Sequence, residues 1–115
     1  MTATRSPATA QGIGLPEPAI TAIRQVLARH AAVEAAVVYG SRALGCHRPG
    51  SDLDLTLIGD DISADILGRI DAELDDLLLP WMIDLSCLAA IQQPGLLAHI
   101  ERAGVELYRR LEAPA

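Results

Sequence analysis

The chain has 115 residues and a mass of 12.2 kDa, room for one domain and none for a separate substrate, cofactor or lid domain. Half of its residues are apolar, which excludes disorder as a description of the whole chain. Nine arginines and no lysine stand against fifteen acids, a net charge of −6 that suits divalent cations and basic protein partners; it ill suits sequence-independent nucleic-acid binding, and the missing lysine excludes Schiff-base, pyridoxal phosphate and P-loop chemistry.

Residues 1–14 are rich in Thr, Ala, Gly and Ser without periodicity and read as a mobile arm. They lack the charged start and apolar stretch of a signal peptide. The domain itself is expected over residues 15–112. Pro16 and Pro18 suit a helix start, and Ile20, Ile23, Val26 and Leu27 recur at helical spacing, predicting an amphipathic helix from Pro18 to about His30. The Val-rich run Ala35 to Tyr39 reads as a buried strand. Three glycines and a proline make residues 40–50 a loop with room for one helical turn. Leu53, Leu55 and Leu57 alternate with Asp52, Asp54 and Thr56, the pattern of a strand with two unlike faces.

Ser63 is an N-cap candidate for a second helix carrying Ile66, Leu67, Ile70, Leu74 and Leu77 on one side. Its acids Asp65, Asp71, Glu73, Asp75 and Asp76 form a solvated face or a dock for a basic partner. Pro80 ends that helix and Trp81 to Cys87 reads as a third strand, with Trp81 suited to a core position or to stacking on a base. The longest apolar run, Leu77 to Ile83, is far below the ~18 residues that cross a bilayer. Pro94 opens a third helix with Leu96, Leu97 and Ile100 inward, Gly104 caps it, and Val105 and Leu107 start a last strand. The order predicts an α/β (α+β) domain, a small mixed sheet covered by helices. A soluble, cytoplasmic protein that contacts neither membrane nor nucleic acid directly is the expectation.

The chemistry concentrates between Tyr39 and Thr56. Asp52 and Asp54, two apart on a strand, share a face at ~6–7 Å. Such a pair is unfavourable unless a positive charge lies between its members. Asp84 is a third acid inside an apolar strand, where a charge is costly without a partner. If the two strands are neighbours the three converge, and three hard oxygen ligands suit Mg²⁺ or Mn²⁺ rather than zinc. Gly40 lets backbone approach a ligand closely, and the Ser41 hydroxyl and nearby amides can donate to phosphate oxygens. Arg42 and Arg48 can meet phosphate through charge-assisted bonds or brace the loop. A metal site beside a phosphate site implies a metal–nucleotide complex.

Competing motifs fail. Gly40 and Gly45 have P-loop spacing, but Cys46-His47 stands where Lys-Ser/Thr is needed. An EF-hand loop from Asp52 would need Gly at 57 and Glu at 63, where the chain has Leu57 and Ser63. Ser41 is not in a G-x-S-x-G elbow. Cys46 and His47 are adjacent, yet no third group orients them as a catalytic pair. Two cysteines and the scattered His30, His47 and His99 match no zinc-ligand spacing.

In order, G-S, the D-L-D strand and the later acid resemble the signature of the polymerase beta nucleotidyltransferase superfamily. G-S-R-A, R-P-G-S-D-L-D-L, L-P-W-M-I-D-L and R-A-G-V-E-L-Y resemble its small stand-alone members, the minimal nucleotidyltransferases, over roughly residues 18–110. The chain departs from that group at Leu44, where Arg is frequent, and at Cys46, where an acid is common. The resemblance implies a polymerase beta-like core, with Gly40, Ser41 and Arg42 at the phosphates. Asp52, Asp54 and Asp84 would be the catalytic, metal-holding acids for Mg²⁺ or Mn²⁺. It implies transfer of AMP from ATP, or of a nucleotide from another triphosphate, to a hydroxyl. Because the chain has no residues for an acceptor domain, the acceptor is expected on another protein. The resemblance implies a HEPN-type helical-bundle toxin encoded nearby, with this chain as its antitoxin. Two alternatives stay open: modification of a small molecule held by a helical partner, and neutralisation of the partner by binding alone.

Overall fold

The computed structural model describes residues 10–48 and 50–111. The alternation of leucine and acid does form a strand, β2 (Leu53–Ile58), numbered here after β1 (Ala35–Tyr39) and before β3 (Ile83–Cys87) and β4 (Val105–Arg109). The sheet runs β3-β2-β1-β4. β1 is antiparallel to both β2 and β4, whereas β2 and β3 are parallel, so the sheet is mixed as expected. The helices are α1 (Ala10–Ile13), α2 (Glu17–Ala28), α3 (Gly40–Leu44), α4 (Ala64–Asp75) and α5 (Pro94–Ala103).

Strand periodicity sorts the two faces. Leu53, Leu55 and Leu57 join Ala36 and Val38 in a buried cluster with Ile20, Ile23 and Leu27 of α2 and Ile70 and Leu74 of α4. The opposite face carries Val37 and Tyr39, which pack with Ile100 of α5. Burying these side chains at roughly 1.5–3 kcal/mol each is the main force on both layers. The helix ends follow the predicted signals. Pro18 stands in the first turn of α2. The Ser63 hydroxyl accepts from the Ile66 N–H at 3.2 Å to cap α4. Arg110 donates to the carbonyls of Ala28, His30 and Val33, satisfying the end of α2 that no local residue caps. Gly104 ends α5 at φ −61°, without the left-handed turn that usually selects glycine there.

Three boundaries differ from the sequence expectation. The proposed mobile arm reached residue 14, but Ala10–Ile13 are helical, and Ile13 and Leu15 lie in the main cluster at 2% exposure each. Two apolar side chains suffice to anchor that segment; residues 1–9 of the arm lie outside the described residues. The third strand begins at Ile83 rather than Trp81. The helix expected to run to Pro80 ends at Asp75, while the helical turn expected in the loop after β1 is α3, closed by Gly45 at φ +75°. Among the described residues no helix is long and apolar enough to cross a membrane.

Candidate active site

The parallel register sets Asp54 directly beside Asp84, with Tyr39 as Asp54's partner on the other flank. One row of the sheet therefore reads Tyr39, Asp54, Asp84 on the face that α5 partly covers. The next row is Val37, Thr56 and Ser86, where the Ser86 hydroxyl donates to Thr56 Oγ1 at 3.0 Å. Burial pushes the Asp54 carboxyl up from its ordinary value, and the charges of Asp84 and then Asp52 push it further. Burial also raises Tyr39, a hydrogen bond with Ser86 pulls it back, and Asp54 and Asp84 add to the rise.

Asp52 stands one residue ahead of β2 and is exposed, its charge acting on the Asp54 carboxyl, and no group of three His, Cys, Asp or Glu among the described residues is close enough to hold a metal ion. Asp84 itself borders a groove of about 370 Å³ between β3 and α4, shared with Leu67, Gly68 and Asp71.

Gly40 follows β1 at φ +76°, and a side chain there would collide with Asp54 Oδ2. The turn thus needs glycine twice, for its backbone and for the carboxylate resting on it. The Gly40 N–H donates to His99 Nε2 at 2.9 Å. Ser41 is half-buried in the first turn of α3.

Arg42, expected at the phosphates, is a brace instead. Its side chain is 0% exposed. Nη1 donates to the carbonyls of Ile13 and Gly14 at 2.8 and 3.2 Å, and Nη2 and Nε donate to that of Ser51 at 2.8 and 3.1 Å. The guanidinium also lies 5.7 Å from the Trp81 ring centroid, which places Trp81 in the packing and not free to meet a base. Five donors in a fork suit buried carbonyls as well as phosphate, so residue type alone left both roles open. Arg48 and Ser51 close the turn before β2, the Arg48 N–H donating to Ser51 Oγ at 2.8 Å. Cys46 is exposed, while the His47 ring packs against Gly14, so the two form no pair.

His99 is the site neighbour that sequence reading missed. It lies 59 residues from Gly40, and its only local signal is its position beside the inward-facing Ile100.

A mixed four-stranded sheet with two acids in one cross-strand row, facing a glycine–serine turn, defines a nucleotidyltransferase core. The family model for polymerase beta nucleotidyltransferases matches residues 21–113, and the chain belongs to that family. A comparison with curated proteins returns no match. Among solved structures, the fold is similar to a chain of a toxin–antitoxin complex with AMP-PNP at 18% identity and TM-score 0.64, covering 79% of this chain and 73% of that one. A chain of the MntA–HepT toxin–antitoxin complex shares the fold at 15% identity and TM-score 0.60, over 83% and 74% of the two chains. So does one from the complex of MNT antitoxin with tri-AMPylated HEPN toxin of Shewanella oneidensis, at 16% identity, TM-score 0.61, and 82% and 72% coverage.

Proposed function

We propose that this chain transfers AMP from ATP to a hydroxyl on a partner protein, the hydroxyl oxygen bonding to the α-phosphorus as the α–β phosphoanhydride bond breaks and pyrophosphate leaves, and that the partner is a HEPN-type toxin which the transfer neutralises. The observation that carries this reading is the Asp54–Asp84 row standing against Gly40. The chain shares its fold with a toxin–antitoxin chain solved with an ATP analogue and with another solved beside an AMPylated toxin. The donor chemistry fits a hard divalent cation, since Asp54 and Asp84 are neighbouring carboxylates whose repulsion a cation would relieve. Asp54, Asp84 and the exposed Asp52 would hold Mg²⁺ or Mn²⁺, which when bound supplies charge neutralisation for the phosphates and the attacking oxygen.

The chain's own residues supply orientation. Gly40 lets the Asp54 carboxylate lie against the end of β1, and the Ser41 hydroxyl that follows it donates to a phosphate oxygen. Asp84, exposed next to Asp54 in the row, would accept the proton of the incoming hydroxyl. Tyr39, packed with Val37 and Ile100, closes the far end of the row.

Intact mass spectrometry decides the reading. A HEPN protein encoded beside this chain should gain one or more adenylyl groups on incubation with the chain and Mg-ATP, and none with Asp54→Asn. A partner that stays unmodified yet is neutralised by Asp54→Asn would replace transfer with neutralisation by binding.

A further inference from the structure

The Gly40 peptide is held from outside its own turn. Its N–H donates to His99 Nε2 at 2.9 Å, so the imidazole accepts at that nitrogen and carries its ring proton on Nδ1. The ring is fixed in turn. It meets Tyr39 edge-on at 74° with centroids 6.3 Å apart, and the following residue, Ile100, is buried with Val37 and Tyr39. On its other side Gly40 carries the Asp54 carboxylate where a side chain would be. One glycine is therefore clasped between α5 and β2. Glycine passes between backbone regions at little cost, so a left-handed glycine at a strand-to-helix turn needs such an outside contact to keep one orientation.

We propose that His99 is a positioning residue for triphosphate binding: by accepting from the Gly40 N–H it fixes the peptide that sets the Ser41 hydroxyl relative to Asp54. The inference rests on the nucleotidyl-transfer reading above. It adds a residue from α5, far along the chain, to a turn whose proposed chemistry lies in the glycine and serine.

The test compares His99→Phe, which keeps the ring against Tyr39 but removes the acceptor, with His99→Gln, whose Oε1 reaches about where Nε2 stands. Amide exchange at Gly40 is followed by NMR, and Mg-ATP binding by calorimetry. His99→Phe should speed Gly40 exchange and weaken Mg-ATP about tenfold, the value of one well-placed hydrogen bond, while His99→Gln restores both. In transfer assays KM for ATP should rise more than kcat falls. Should His99→Phe fail to fold, His99→Asn, whose shorter amide falls short of Gly40, takes its place against His99→Gln. Wild-type affinity in a folded variant without the acceptor overturns the inference alone, as does failure of His99→Gln to restore binding. Absence of Mg-ATP binding by the wild type overturns the transfer reading and this inference together.

Discussion

Asp54 serves the site at the expense of the fold. Its neighbours Leu53 and Leu55 are buried on one face, and the pleat turns the intervening carboxylate toward Asp84 on the other. Its pKa is raised on folding, so between its unfolded and folded values the native state binds more protons than the unfolded chain. Stability therefore falls as pH rises through that window, beginning near the ordinary aspartate value of 3.8. Asp54→Asn should remove this penalty. Melts of the ligand-free protein are expected to show the variant gaining about 1–3 °C over wild type at pH 7 and little below pH 4. A loss of melting temperature at neutral pH would mean that the carboxylate has a structural bond to keep. At this scale the sequence was readable wherever chemistry is local: the Asp-Leu-Asp alternation, the Gly-Ser turn and the third acid each carry their meaning in a few adjacent residues. Arg42 was readable only as a choice between phosphate and brace, and His99 not at all, because Gly14 stands 28 residues from the first and Gly40 59 from the second.

α1 would be unstable alone, since four residues cannot repay helix nucleation. It is held by Ile13 in the core and by Arg42, whose guanidinium ties α3 to the carbonyls after α1 and to Ser51 ahead of β2. Burial lowers the Arg42 pKa while Asp52 pulls it back up, so the brace and the exposed acid are electrostatically linked. Lysine cannot reproduce a fork that reaches two separate stretches of backbone. Arg42→Lys should cost about 2–4 kcal/mol in thermal or urea melts, with Mg-ATP affinity unchanged well below the transition. A fall in affinity without a fall in stability would return Arg42 to the phosphates. The longer elements were visible from periodicity because their apolar faces repeat. The short ones, α1 and α3, have too few residues for any period, and only tertiary contacts define them.

Across the whole molecule the two halves of the acidic row arrive by different routes. β1 and β2 are antiparallel neighbours joined by residues 40–52, so Gly40 and Asp54 meet through a comparatively local closure. β3 returns only after residues 59–82 and pairs with β2 alone, at the margin of the sheet. Like β4 at the other margin it has a single pairing partner, so these two strands are expected to open before the central β1 and β2. In hydrogen exchange, β3 amides should exchange faster than those of β1, and Mg-ATP should slow β3 more than β4. Uniform protection of all four strands would contradict this ordering. The parallel register that places Asp84 beside Asp54 therefore has a thermodynamic consequence. A ligand that grips both acids also holds β3 against β2, and by linkage whatever holds β3 closed tightens that ligand's binding by the same factor.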